Sequence, residues 1–154
     1  SIVPTANNTL GTNYWTAYVG THGSGDAADE DGYYYTWDAA MNVCPSGWRL
    51  PSDSDWQVLE GFLGMSIADQ NDTGQRTATT IAPKLRVGGS SGFNAKMAGL
   101  NFNGRGSAAI FWTSTIPYGA LQPFYRFLTG SYSWVNRSFD QPKTFGLSVR
   151  CLKN

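Results

Sequence analysis

Apolar residues recur at helical spacing only in the first half of the chain. Trp56, Leu59 and Leu63, with Val58 and Phe62 beside them, predict a helix over about Asp53 to Leu63 with a buried stripe. Ser52 is placed to cap it, since its hydroxyl can accept an orphan amide of the first turn. Asp53 and Asp55 favour the positive helix end, Pro51 ends the preceding segment and Gly64 supplies the stop. A shorter helix over about Thr36 to Asn42 follows from Trp37, Ala40 and Met41, ahead of the turn Cys44-Pro45-Ser46-Gly47.

From Ser66 to Ser107 the chain is rich in Gly, Ser, Thr and Asn. It reads as a long loop region with one short helical or irregular piece near Ile81 to Val87. From Ile110 the pattern changes to short β-prone runs: Ile110 to Thr115, Phe124 to Leu128, Tyr132 to Arg137 and Phe145 to Leu152. Side chains alternate along a strand, so one set faces the helices and the other faces outward. Trp112, Leu128, Val135 and Val149 are expected inside. Both helices precede all the strong strand signals, and 154 residues suffice for one domain with one core.

The 22 aromatic residues, 18 Gly and 7 Pro, set against 11 basic and 11 acidic residues, describe a loop-rich folded module and not a disordered one. A net charge of zero argues against nucleic acid, whose phosphates require a basic footprint. The distribution is uneven: residues 1 to 72 hold ten acidic side chains and one basic, Arg49, whereas residues 73 to 154 hold ten basic and one acidic, Asp140. Either the halves interleave and neutralise locally, or a basic late-sequence face attracts an acidic partner. No signal peptide and no apolar run near the ~18 residues of a membrane span is present, and the chain is expected to begin inside a longer protein.

Candidate chemistry is sparse. One histidine, His22, stands in the loop Thr21-His22-Gly23-Ser24-Gly25 with no supporting nucleophile motif, so no catalytic residue is proposed. Structural zinc needs about four Cys or His ligands, and the chain has three such residues in all. Asp26, Asp29, Glu30 and Asp31 before Gly32 form an acidic loop that is open to calcium, though without helix-loop-helix spacing. No cofactor and no metal site is assigned.

Aromatics mixed with small polar residues fill the segment from Ile116 to Leu147. This is the composition of an adaptable recognition surface, where rigid rings supply area at small entropic cost. Tyr118, Leu121, Tyr132, Trp134, Asn136, Phe139 and Asp140 are the candidate ligand-binding residues. All but Leu121 are placed specifically on the outside, and about half of the segment's rings are left to the core.

The block Tyr33-Tyr34-Tyr35-Thr36-Trp37-Asp38-Ala39-Ala40, then Cys44-Pro45-Ser46-Gly47-Trp48, then Arg49-Leu50-Pro51-Ser52, is answered near the end by Ser148-Val149-Arg150-Cys151. Together these resemble the signature of the Fibrobacter succinogenes major paralogous domain. Phe111 to Thr115, Phe124 to Leu128, Val135 to Arg137 and Gly146 to Lys153 extend the resemblance over about residues 33 to 154. Residues 1 to 32 lack the usual opening.

Arg49 to Trp56 is also similar to the opening of formylglycine-generating enzymes, which share a variant of the C-type lectin-like fold. The resemblance therefore implies an α+β, C-type lectin-like domain with two early helices, a mainly antiparallel sheet late in the chain, and chain ends brought together. It also implies a disulfide between Cys44 and Cys151, tying the early helix region to the last strand; two buried free thiols are the alternative. Formylglycine-generating enzymes hold copper on a close cysteine pair late in their sequence. Here one cysteine is early and one late, so the likeness carries fold and not activity. Nor is a calcium-lectin sugar triplet present, since Gln141-Pro142-Lys143 ends in the wrong charge.

Members of this and related groups serve as targets of diversity-generating retroelements, which mutate adenines in asparagine-type codons. Such a codon never becomes Glu, Gln, Lys, Met or Trp, and Ile116 to Leu121, Ser131 to Ser133 and Ser138 to Asp140 all lie within the accessible set. The resulting expectation is a non-enzymatic, monomeric ligand-binding module of a bacterial cell-surface or pilus-tip adhesin, located outside the cell, whose partner is a host or bacterial surface protein or a glycan. A phage receptor-binding tip and a structural domain of a larger surface protein are the alternatives.

Overall fold

The computed structural model describes residues 12–13, 34–100 and 103–154. The elements in chain order are β1 (Thr12–Asn13), α1 (Trp37–Val43), β2 (Trp48–Arg49), α2 (Asp53–Phe62), α3 (Ile67–Asn71), β3 (Gly74–Gln75), α4 (Ala82–Leu85), β4 (Ala108–Trp112), β5 (Tyr125–Thr129), β6 (Asn136–Ser138) and β7 (Arg150–Lys153). The fold class is α+β, as expected, and every ladder between these strands is antiparallel.

Helix α2 begins where the capping residues dictate. The Ser52 hydroxyl accepts from the Asp55 amide at 3.1 Å while the Asp55 carboxylate accepts from the Ser52 amide at 2.8 Å, a reciprocal capping box. The buried stripe differs from the expected one. Asp53, Trp56, Glu60 and Leu63 face inward, whereas Val58 and Phe62 face outward, Phe62 with 86% of its surface exposed. Two acidic residues hold inward positions that the apolar pattern alone assigned to hydrophobes, because arginines from distant strands await them there.

The strands form two sheets. A three-stranded sheet in the order β1-β7-β2 joins the two ends of the described chain, with Thr12 opposite Cys151 and Trp48 opposite Lys153. A four-stranded sheet runs β3-β6-β5-β4. Residues 147 and 148 stitch the halves together: Leu147 exchanges backbone bonds with Tyr35, and Ser148 bonds to Ile110 and Trp112 of β4. The Cys44–Cys151 disulfide, with Cα atoms 5.8 Å apart, pins the end of α1 to β7.

Pleating splits the core in two. Ala108, Ile110, Trp112 and Tyr125 pack with Tyr35, Leu147, Val149 and Cys151 on one side of the four-stranded sheet. Ala109, Phe111, Leu128 and Val135 pack on the other side with Trp56 and Leu63 of the α2 region. Trp112, Leu128, Val135 and Val149 are all buried, as expected.

Several boundaries depart from expectation. The loop-like stretch after Ser66 contains α3, whose N-cap Ser66 accepts from the Asp69 amide, and the two-residue β3. The run from Tyr132 to Arg137 is strand only from Asn136, and that from Phe145 to Leu152 is regular strand only from Arg150. The His22 loop and the acidic loop from Asp26 to Asp31 lie outside the described residues.

Candidate functional site: the Tyr125 face of the four-stranded sheet and its loops

The sheet is held rigid from beneath by charge. Arg126 and Arg137 are opposite one another across β5 and β6, and both point toward α2. Asp53 accepts from Arg126 Nη1 at 2.8 Å and from Arg137 Nη2 at 2.7 Å. Glu60 accepts from Arg126 Nε at 2.7 Å and from Arg76 Nη2 at 2.6 Å. Remaining guanidinium donors reach the carbonyls of Val135, Asn71 and Asp72. All five side chains are buried.

Burial alone would raise the Asp53 carboxyl. The hydrogen bond from Arg137 and then the charge of Arg126 outweigh it and hold that carboxyl below its usual range. The network also resolves the uneven charge distribution for its own members, since acids from the first half neutralise bases from the second inside one fold.

Alternate residues of the same strands point the opposite way. Tyr125, Phe127 and Asn136 share the opposite face with Ile110 and Trp112 of β4, the face that packs on Tyr35, Leu147 and Val149. Together with Leu100 and Gln141 they line a cleft of about 270 Å³. Burial, then a 2.7 Å hydrogen bond donated to Asp140, pushes the Tyr125 phenol up to about 12, so it stays protonated and keeps Asp140 at its own tip. Beyond Phe127 stands Trp134, 5.8 Å away, and Tyr132 lies flat on Trp134 at 5.2 Å and 15°. Arg86 donates to the carbonyls of Thr129 and Tyr132 and fixes that turn.

Of the residues expected on the surface, Tyr118, Leu121, Tyr132 and Phe139 are exposed. Asn136 is half-buried in β6, and Asp140 is exposed while engaging Tyr125. Trp134 is a correction: only 8% of it is exposed, because Tyr132 covers one face and Phe127 the other side. It precedes β6 in a turn, so counting alternation from Tyr132 misplaces it. Phe139 stands edge-on against Phe124, over whose ring Arg137 sits at 4.0 Å. Tyr118 and Leu121 project from a separate loop, closed by the Phe124 amide on Thr115 and joined to the 140s where Gln122 accepts from the Lys143 amide. Tyr118 touches no other described ring.

Sequence reasoning missed Tyr125, Phe127 and Gln141 as members of this surface. Their placement follows from Arg126, whose turn toward α2 puts its strand neighbours on the opposite face.

Both cysteines are in the disulfide, so neither is a thiolate. Among the described residues no group of three His, Cys, Asp or Glu side chains is arranged to hold a metal ion, and no helix is long and apolar enough to cross a membrane.

A four-stranded antiparallel sheet braced on helices, with a second three-stranded sheet tied to the first helix by one disulfide, defines a small α+β module. The sequence model of the Fibrobacter succinogenes major domain matches residues 3–153, and the chain belongs to that family. The match includes the opening residues, where the short signature was not legible. No curated protein and no solved structure matches the chain.

Proposed function

We propose that this chain is a non-enzymatic ligand-binding domain with a C-type lectin-like arrangement, carried by a bacterial cell-surface or pilus-tip adhesin and working outside the cell. The observation that carries the reading is the exposure of Tyr118, Leu121, Tyr132 and Phe139 on loops at the edge of a sheet whose other side is locked by buried ion pairs. Large apolar side chains left in water over a rigid frame are the usual mark of a recognition surface. The partner is a surface protein or a glycan. The disulfide supports an oxidising location. Because the exposed positions lie in loops, they can vary without disturbing the frame, which suits diversification by a retroelement.

A tetramer of the domain, tested by flow cytometry on intact bacterial and epithelial cells, examines the reading directly. The triple variant Tyr118→Ala/Tyr132→Ala/Phe139→Ala is expected to lose binding while its melting temperature stays within a few degrees of the parent. Binding unchanged by the triple variant would remove the reading. A phage receptor-binding tip would use the same face. A structural role in a larger surface protein draws on a different observation, the exposed Val58, Phe62 and Ile67 on α2 and α3, and predicts docking there instead.

A further inference from the structure

The cleft lined by Tyr125, Phe127 and Asn136 has a chemistry more specific than a general adhesive surface. We infer that it is a metal-independent subsite for one neutral sugar ring of a glycan. The inference rests on the recognition-face reading and narrows its ligand.

Size comes first. Pockets for drug-sized ligands run from about 300 to 1,000 Å³, and at about 270 Å³ this cleft is scaled to a single ring. Its composition comes next. A pyranose presents apolar C–H faces and a rim of hydroxyls, so it is matched by aromatic surface beside amide and carboxylate groups. Phe127 and Tyr125 supply aromatic wall, and Tyr132, held flat by Trp134 and by Arg86 at its carbonyl, extends a rigid aromatic shelf beyond it. An already ordered ring loses little entropy on binding.

The polar groups are placed to read hydroxyls. The backbone of Asn136 is engaged with β5 and β3, yet its side-chain amide bonds to no other described residue and keeps both donor and acceptor for a ligand. Gln141 supplies a second amide at the cleft. Asp140, fixed by the Tyr125 phenol, has a further carboxylate oxygen with lone pairs to spare.

Charge sets the remaining specificity. Asp140 is a single carboxylate, whereas calcium takes six to eight oxygen ligands, so sugar contact here runs through amides and not through an ion. A uronate or sialate would bring its own negative charge against Asp140 with no cation in the cleft lining to receive it, which favours neutral sugars. The buried arginines beneath the sheet are already committed to Asp53 and Glu60.

The test is an amide-detected NMR titration of the whole domain with neutral methyl glycosides of glucose, galactose, mannose and N-acetylglucosamine, to tens of millimolar, with a chelator present. At least one is expected to move the side-chain amide signals of Asn136 and Gln141 and the indole signal of Trp134, while methyl glucuronide moves none. Asn136→Ala and Gln141→Ala, each verified as folded from its own spectrum, are each expected to weaken that response about tenfold, the worth of a lost hydrogen bond. Silence of the cleft signals toward all four neutral sugars, or a response abolished by the chelator, overturns the inference. Cell binding that survives periodate oxidation of the target but is lost in the triple loop variant also overturns it and leaves the recognition-face reading standing. Cell binding indifferent to the triple variant removes that reading instead.

Discussion

Strands β5 and β6 carry two opposite designs on their two sides. Facing α2, Arg126 and Arg137 meet Asp53 and Glu60 in a closed set of ion pairs in which each partner is specified by several others. On the opposite face Tyr125, Phe127 and Asn136 line a cleft beside the other core cluster, and the loops next to it hold exposed rings that few contacts constrain. Strand and adjoining loop thus differ in tolerance. The difference shows how a small sheet can present changeable chemistry: the constraint is concentrated in the strands, so substitution in the loops costs little folding energy.

The largest expected break lies in the inner set. Glu60→Ala leaves Arg76 and Arg126 buried without their shared carboxylate, and removal of one partner of a buried pair costs about 3–5 kcal/mol. At roughly 2–4 °C per kcal/mol for a chain of this size, a fall in melting temperature of about 10 °C is expected by calorimetry. A change under 2 °C would mean that the network is not the brace described.

The disulfide should rank next. Cys44→Ala/Cys151→Ala removes a link across 107 positions, and loss of such a bridge typically costs about 2–5 kcal/mol. The midpoint in urea should fall with little change in the spectrum of the folded state. Because the link joins α1 to β7 and not the outer loops, ligand binding by the folded fraction should persist.

Acid probes the inner set by a different route. The folded Asp53 carboxyl lies below its ordinary 3.8, so its contribution is fully present above that value and is lost as pH falls through it toward the folded pKa. Asp55, where burial opposes but the bonds from Arg49 and Ser52 prevail, shifts the same way. Urea midpoints should therefore hold steady down to about pH 5 and drop below it. Asp53→Asn should be less stable than the parent at pH 7, with the gap narrowing as the pH falls. A gap of constant width would detach Asp53 from the acid response.

How much of this was legible in the sequence follows from the range of each interaction. The α2 cap was readable because Ser52 and Asp55 lie three residues apart, and the burial of Trp112, Leu128, Val135 and Val149 because each is a large apolar residue within a short β-prone run. The Cys44–Cys151 link came with the family signature. The inward turn of Asp53 and Glu60 was not readable, since their partners lie 16 to 84 positions away and the helix shows only two ordinary acids. That same blindness placed Val58 and Phe62 inside. Trp134 was misplaced for a related reason: its cover is Tyr132, brought over it by a turn that Arg86 fixes from a distant part of the chain. Exposed loop rings such as Tyr118 were readable because nothing distant acts on them.

The smallest effects sharpen the comparison most, because they separate an outer residue with a structural duty from one without. Tyr132→Ala uncovers Trp134 and forfeits one stacked pair, worth about 0.5–1.5 kcal/mol, so a loss of a few degrees with a red shift in tryptophan emission is expected. Tyr118 makes no ring contact with the other described residues and its side chain is fully exposed, so Tyr118→Ala should fall within about 0.5 kcal/mol of the parent. Equal losses for the two would show that the Tyr118 loop is braced as well and would erase the division between a constrained frame and a free edge. A graded series, with Glu60 far above Tyr132 and Tyr132 above Tyr118, would establish that constraint falls off outward across the thickness of one sheet.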